Sequence, residues 1–379
     1  MQVVFNHYVL AYAPGWYPVT PIGFVADGAS AVLLFFLMSG LVLTYSFERT
    51  PNALAGGLAR RYIRLGLPLA AAVLFGLVIH AALPGLNAAV APITGSTWMA
   101  SANVSTDLGR AMADLSGLTM LTGYSDATLF DRLSYCLPSI LTSADNPIWS
   151  LHIEFWGSVL VLGLIWARAR SKILHIAVLC ASVVLIGDNT LILFVLGHLS
   201  ALLIRTDHFR RWQEWPWVSL AACATLVLGI WLCEDHNLQP GIRNYVPGVW
   251  RIGHVATWGN ILSPYPSFTM MAGAIMVYAA VLFLPAAHRI CSTRVPAWLG
   301  RLSFPIYLLH WPIVMTVGNL TFLFVSPLGR WVAGSTALLV GLLVTLPLAV
   351  LFERFVDQPA IELSRMVGRF VIPKRAPQT

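Results

Sequence analysis

Charged side chains are scarce in this sequence. Only 10% of its 379 residues are Asp, Glu, Lys or Arg, whereas soluble globular domains carry roughly 25%. Hydrophobic residues make up 58%, and the mean hydropathy is +0.74. This balance excludes an ordinary soluble enzyme and an intrinsically disordered chain. It predicts a protein whose body lies in a lipid bilayer.

Cysteine is also rare, and its five residues form no Cys-x-x-Cys pair and no Cys/His ligand spacing. The sequence therefore predicts neither a disulfide framework nor a metal site. Basic residues exceed acidic ones, giving a net charge of +7, but no basic run is interleaved with aromatic residues. A nucleic acid partner is therefore not expected. The excess is typical of the positive-inside bias of membrane proteins.

Long apolar stretches recur along the chain. Spanning helices need about 20 mainly apolar residues, and nine stretches reach or nearly reach that length, while a tenth at 1–13 is cut short. Runs such as AVLLFFLMSGLVL do not alternate in polarity as barrel strands do. The sequence therefore predicts an all-α polytopic membrane protein of about ten helices with a truncated first one. The nine lie near 28–47, 65–84, 149–166, 173–187, 190–204, 217–233, 266–285, 303–325 and 332–352.

Basic residues gather in alternate loops, as expected for cytoplasmic segments. If the N-terminus is inside, only five of the 23 Lys and Arg residues fall outside: Arg110, Arg132, Arg243, Arg251 and Arg330. This pattern predicts ten crossings with both termini cytoplasmic. It also predicts a membrane domain over 1–353, outer loops at 85–148 and 234–265, and a basic cytoplasmic tail over 354–379.

Ionisable groups within spanning segments cost ~2.5 to 3.5 kcal/mol each on insertion scales, so each is a functional candidate. His7, Glu154, His198 and His310 lie well inside predicted helices, while His80 and His152 lie nearer the outer boundary. The alternative is structural, because an intramembrane His often bonds two helices together and Glu154 can pair with a His or Arg.

Arg61 and Arg64 are one helical turn apart, so both guanidinium groups lie on one helix face. They are either positive-inside anchors or a pair of forks for a phosphate-rich ligand. Ser39 and Gly40 permit close helix packing through small residues. No Gly-x-Ser-x-Gly elbow, His-Glu-x-x-His pair or P-loop occurs.

Five sequence blocks occur in an order that resembles the acyltransferase family 3 of integral membrane acyltransferases. The resemblance extends over nearly the whole chain. The blocks are FNHYVL (5–10), DGASAVLLFFLMSGLVLTY (27–45), RRYIRLGLP (60–68), NPIWSLHIEFWGSVL (146–160) and LGRLSFPIYLLHWPI (299–313).

The resemblance implies an enzyme of the bacterial inner membrane that moves an acyl group, commonly acetyl, from cytoplasmic acyl-CoA. The implied acceptor is a hydroxyl of a glycan or lipid-linked sugar, and no metal is implied. The resemblance assigns His7 and Glu154 to the catalytic centre and Arg61 and Arg64 to the donor. The supporting candidates are His310, Ser39 and Trp149.

One departure concerns the first helix. The family's basic residue eleven positions before the His would fall before Met1. Thirteen helical residues reach ~20 Å, against a hydrocarbon core of ~30 Å. We therefore expect the natural chain to begin earlier than Met1.

Acyl transfer needs a base for the acceptor hydroxyl, and His suits this role because its unperturbed pKa is about 6.5. Our hypothesis makes His7 the base and has Glu154 orient its ring or stabilise the imidazolium. Direct transfer and an acyl-enzyme both stay open. The rival function is a proton-coupled secondary transporter or flippase, although no repeated halves are evident. A structural or receptor role would leave the Arg pair and Glu154 unexplained.

Overall fold

The computed structural model describes residues 1–16, 22–48, 54–105, 107–187, 189–234 and 267–371. Their regular structure is helical, so the predicted all-α class is confirmed for this part of the chain. The α-helices are α1 (Gln2–Tyr12), α2 (Ile22–Val25), α3 (Gly28–Phe47), α4 (Leu54–Ala82), α5 (Leu86–Thr94), α6 (Thr97–Ser101), α7 (Leu108–Leu115), α8 (Leu118–Thr122), α9 (Asp131–Ser134), α10 (Trp149–Arg170), α11 (Lys172–Ile186), α12 (Ile192–Leu203), α13 (Asp207–Glu214), α14 (Pro216–Cys233), α15 (Phe268–Phe283), α16 (Pro285–Cys291), α17 (Arg294–Ile313), α18 (Asn319–Val325), α19 (Arg330–Phe352) and α20 (Gln358–Val371).

Six helical stretches of the described residues are long and apolar enough to cross a membrane, or eight if two bent helix pairs each count as one span. Each of the ten predicted segments contains a helix, but the count of ten crossings is not confirmed. The two predicted segments that belong neither to the six stretches nor to the bent pairs are short: α1 has 11 residues and α11 has 15. The six are Gly28–Phe47, Leu54–Ala82, Asn146–Arg170, Pro216–Cys233, Arg294–Leu328 and Arg330–Gly368.

Helix α3 begins where the sequence predicts, because the Asp27 carboxylate accepts hydrogen bonds from the Ala29 and Ser30 amides. Helix α4 differs from its prediction. It begins at Leu54 rather than near residue 65, so Arg61 and Arg64 lie inside the helix and not at its start. Arginine is a good helix former, but a hydropathy average counts it as an exposed charge even where a carboxylate neutralises it.

Glycine contacts bring α3 against α12. A Cβ at Gly40 would meet the Phe194 backbone, and one at Gly197 would meet the backbone of Leu37. The expected close packing at Gly40 is therefore present. One apolar cluster surrounds this contact, and a second lies among α1, α4, α17 and α19. Trp149 packs against both clusters. The ring of Trp149 thus lies at the junction of the bundle.

The predicted outer loop 85–148 forms short helices that pack onto the long ones. Helix α7 packs on α4, α8 packs on α10, and the Tyr62 hydroxyl donates to the Ser116 carbonyl over 2.6 Å. Its sidedness stays a prediction. Nearly all of the predicted loop 234–265 lies outside the described residues.

Helix α20 covers much of the predicted tail 354–379 and packs along α4, with Gly368 beside the Arg60 side chain. A π-helical turn at Glu353–Asp357 precedes α20 and buries Asp357. Residues 372–379 are not among those described. The cytoplasmic location of the tail stays a prediction.

Candidate functional site

His7 on α1 and His310 on α17 are hydrogen-bonded, with His7 Nδ1 2.8 Å from His310 Nε2. His310 is fully buried and His7 is partly buried. The His7 ring is nearly coplanar with the His310 ring that it contacts edge to edge, and it also packs on the Trp98 ring of α6, each at 5.0 Å between ring centroids. The ring of His7 is therefore held in one orientation by residues from two other helices.

Backbone carbonyls fix the direction of this hydrogen bond. His310 Nδ1 lies 2.8 Å from the Tyr307 carbonyl and 3.1 Å from that of Ile306, so it must carry the proton that is donated to them. In the neutral ring Nε2 of His310 is then an acceptor, and His7 Nδ1 is the donor. This leaves a lone pair on His7 Nε2, which is the atom a general base requires.

Two cavities meet at His7, and Pro147 and Trp149 also line both of them. The α3 cavity has a volume of about 140 Å³ and follows one face of α3 from Gly28 to Phe36. The Trp98 cavity has a volume of about 240 Å³ and is lined by Asp126, Asn146 and the Trp98 ring of α6. A group in either cavity therefore has access to the His7 ring.

Hydrogen bonds from α17 hold the wall that the cavities share. The Tyr307 hydroxyl donates to the Pro147 carbonyl over 2.6 Å and lies 2.7 Å from Ser150 Oγ. Asn146 is 9% exposed, and its Oδ1 has no hydrogen-bond partner among the described residues. Trp149 follows this turn directly, so its position depends on the same bonds.

A buried polar cluster secures the loop that leads to this wall. Asp114 accepts hydrogen bonds from Thr119, Tyr124 and Ser143, and its carboxylate pairs with Arg110. Burial raises the pKa of the neighbouring Asp145 carboxyl well above its usual range, and the Asp114 carboxylate raises it further. These shifts favour a neutral Asp145 next to Asn146.

Arg61 and Glu154 form a salt bridge between α4 and α10. The Arg61 side chain is 15% exposed and that of Glu154 is 2% exposed. Arg61 Nε also donates to Ser158 Oγ over 2.6 Å, and Ser39 of α3 interacts with the Glu154 carboxylate. Ser39 lies one turn beyond Phe36, so this pair continues the α3 face that lines the smaller cavity.

Arg64 makes a separate pair with Asp357. Its Nη1 and Nη2 contact the two carboxylate oxygens at 2.5 and 3.3 Å, which is a bidentate arrangement. The Arg64 side chain is 26% exposed. The two arginines share a helix face as the sequence predicts, but each is bound by a different carboxylate.

One expected contact is absent. Glu154 does not bond to His7, because Glu154 is engaged by the positive charge of Arg61 while His310 bonds to the His7 ring. The sequence placed His310 only among the supporting candidates. His198, the other central His, belongs to a separate pair with His175 at 3.0 Å and Thr44 at 2.9 Å.

Sequence reasoning also missed Asp357, Trp98 and Thr190, the last of which lines the α3 cavity. The alternation of basic loops contains no signal for an acidic partner of Arg64, and aromatic or Thr residues in loops are common. His152, a weaker candidate, bonds to backbone groups of Leu129 and Met120. Within the described ranges no group of three His, Cys, Asp or Glu side chains is placed to hold a metal.

Comparison with known proteins adds two findings. Residues 1–354 match the family model described as "Acyltransferase domain". A curated relative, "Acyltransferase clz18" of Cochliobolus lunatus, is 33% identical over 113 residues, which are 28% of this chain and 24% of the relative. The chain thus matches about a quarter of the length of that relative. No solved structure matches. The match over 354 residues, with the five blocks in order, shows that the chain belongs to the acyltransferase family 3.

Proposed function

We propose that this protein transfers a short acyl group, acetyl in the first instance, from cytoplasmic acyl-CoA to a hydroxyl of a glycan or lipid-linked sugar. One observation carries the proposal. His7 lies where two cavities meet and directs an unshared Nε2 lone pair away from His310. This arrangement suits a base that acts between a donor and an acceptor.

The reaction requires one proton to move. His7 Nε2 accepts the proton of the acceptor hydroxyl while the hydroxyl oxygen attacks the thioester carbonyl carbon. A carbon–oxygen bond forms, the carbon–sulfur bond breaks, and the imidazolium returns the proton to the departing CoA sulfur. His310 stabilises the imidazolium because its Nε2 accepts the Nδ1 hydrogen throughout. No covalent enzyme intermediate is required.

The donor is proposed to enter from Arg61 and Arg64. An arginine has five N–H donors, and each of these two uses two nitrogens on protein partners, so further N–H groups are available to phosphate oxygens. The α3 cavity extends from His7 to Phe36, one helical turn short of Ser39, which lies beside the Arg61–Glu154 pair. In this proposal Glu154 positions Arg61 rather than His7.

The Trp98 cavity is proposed to hold the acceptor. The Trp98 and Trp149 rings offer apolar faces to the C–H side of a sugar ring, and Asn146 Oδ1 is an unused acceptor for a hydroxyl. Asp126 completes the polar lining.

The experiment is acyl transfer by the purified chain in detergent. We expect thiol release from acetyl-CoA in the presence of a glycolipid extract, and the product should gain one acetyl group by mass spectrometry. A preparation of His7→Ala treated in parallel reports hydrolysis and background. Transfer that does not depend on CoA thioester, or none at all, would contradict the proposal.

Acyl chain length is the next expected dependence. The α3 cavity measures about 140 Å³, whereas pockets for drug-sized ligands measure roughly 300 to 1,000 Å³. We therefore expect acetyl-CoA to be used well and octanoyl-CoA at least ~10-fold less efficiently in kcat/KM. Phe36→Ala should reduce this difference, because it shortens a buried wall of the cavity. Equal use of both donors by the wild type would show that the acyl group binds elsewhere.

Arg64→Lys is expected to weaken acetyl-CoA binding by roughly 3- to 10-fold, because Lys keeps the charge but loses the planar fork. Isothermal titration of the detergent-solubilised protein measures the affinity for acetyl-CoA. Arg205→Lys is the control, because Arg205 is another partly exposed arginine that pairs with a carboxylate. Unchanged affinity in Arg64→Lys and in Arg64→Ala would leave Arg64 as an anchor for Asp357 alone.

A further inference from the structure

We infer that the hydroxyl of Thr190 donates a hydrogen bond to the acyl carbonyl oxygen and stabilises the negative charge that develops on it. This inference rests on the proposed acyl transfer and adds a catalytic residue to it. Thr190 lies in the turn between α11 and α12 and lines the α3 cavity together with His7.

Thr190 is buried, and its hydroxyl lacks a hydrogen-bond partner among the described residues. The residue is 7% exposed. An unpaired buried hydroxyl costs about 1 to 3 kcal/mol. Because such groups are uncommon in folded proteins, a ligand atom is a natural partner for this one.

Two other polar side chains that line the cavity already donate to backbone carbonyls. Asn6 Nδ2 donates to the Ala26 carbonyl over 3.0 Å, and the Tyr307 hydroxyl donates to the Pro147 carbonyl over 2.6 Å. His7 Nδ1 donates to His310, so its remaining nitrogen is a base rather than a donor. Thr190 supplies what these groups lack, a hydroxyl proton without an acceptor.

The local backbone suits developing negative charge. Thr190 directly precedes Leu191, the N-cap residue of the 12-residue helix α12, and the Thr190 carbonyl accepts from the Leu193 amide. The Asn189 side chain accepts from the Leu191 amide over 2.9 Å and fixes the turn. The positive end of the helix dipole therefore lies close to the Thr190 hydroxyl.

In the transfer step, attack of the acceptor oxygen moves the carbonyl π electrons onto the carbonyl oxygen. Thr190 Oγ1 donates its hydrogen to that oxygen without losing it. When the carbon–sulfur bond breaks, the electron pair returns to the carbonyl, and the proton held by His7 passes to sulfur. This hydrogen bond strengthens as negative charge develops on the oxygen, so it stabilises the transition state more than the bound donor.

The test compares Thr190→Val, which removes the hydroxyl at similar volume, with Thr190→Ser, which keeps it. We expect Thr190→Val to lower kcat by ~10²- to 10³-fold, as removal of one oxyanion donor does, with little change in KM for acetyl-CoA. Thr190→Ser should retain at least about a tenth of the wild-type kcat. Thr345→Val, a buried threonine of α19 that lines neither cavity, should leave kcat unchanged.

Three results would overturn the inference: wild-type kcat in Thr190→Val, an equal loss of kcat in the Ser and Val variants, or a loss confined to KM. Acetyl-CoA binding and the thermal midpoint in detergent, measured on each variant, show whether the protein is folded. Absence of transfer by the wild type would overturn the proposed function as well, whereas an active Thr190→Val would overturn only the role of Thr190.

Discussion

His7→Ala is expected to lower kcat by ~10²- to 10⁴-fold, the usual contribution of a general base, while the protein still inserts and binds acetyl-CoA. The loss follows from the orientation of the ring. His7 Nε2 is the free base nitrogen only because His310 accepts the Nδ1 hydrogen, and His310 itself is fixed by two carbonyls of α17. Initial rates of thiol release, normalised to folded protein, measure the effect.

The chain contains a second His pair that serves as the control. His198 is as buried as His310 and bonds to His175, but it lines neither cavity at His7. His198→Ala should therefore retain the wild-type kcat per folded molecule, even if less protein accumulates. Comparable losses of kcat per folded molecule in His7→Ala and His198→Ala would mean that the loss is not specific to His7 and that the base lies elsewhere.

His7 and His310 show what can be predicted from the sequence and what cannot. Each lies in a block that resembles the family, and each is ionisable within an apolar segment, so both could be singled out. Their contact joins residues 303 positions apart and depends on the relative rotation of α1 and α17. Neither periodicity nor charge counts specify that rotation. The prediction from the sequence therefore made Glu154, rather than His310, the partner of the His7 ring.

Helix α4 shows a related limit. Its predicted start near residue 65 follows from hydropathy, which treats each Arg as an exposed charge. The structure neutralises Arg61 with Glu154 and Arg64 with Asp357, so the helix continues back to Leu54. Thr190 lay beyond prediction for another reason. A threonine in a turn is ordinary, and only tertiary packing reveals that its hydroxyl is buried without a partner.

The Arg61–Glu154 pair is expected to give the largest effect on stability. Glu154→Gln leaves the guanidinium of Arg61 mostly buried without a charged partner. Arg61→Gln leaves the Glu154 carboxylate buried without one. Breaking a buried pair costs about 3 to 5 kcal/mol, a large part of the ~5 to 15 kcal/mol that holds a typical protein folded. Both variants should show a lowered thermal midpoint in detergent and little transfer. Glu48→Gln, in a partly exposed cluster with Arg168 and Arg205, should cost less than about 1 kcal/mol.

The double variant Arg61→Met/Glu154→Leu separates the two roles of this pair. Apolar side chains of similar size commonly restore or exceed the stability of a buried ion pair, so the thermal midpoint should recover. Transfer should not recover, because the double variant has no guanidinium at this position to contact the donor phosphates, and acetyl-CoA binding should be weakened as well. A double variant that regains both stability and acetyl-CoA affinity would limit the pair to holding α4 against α10. In that event the donor phosphates would have to bind elsewhere, with Arg64 as the next residue to test.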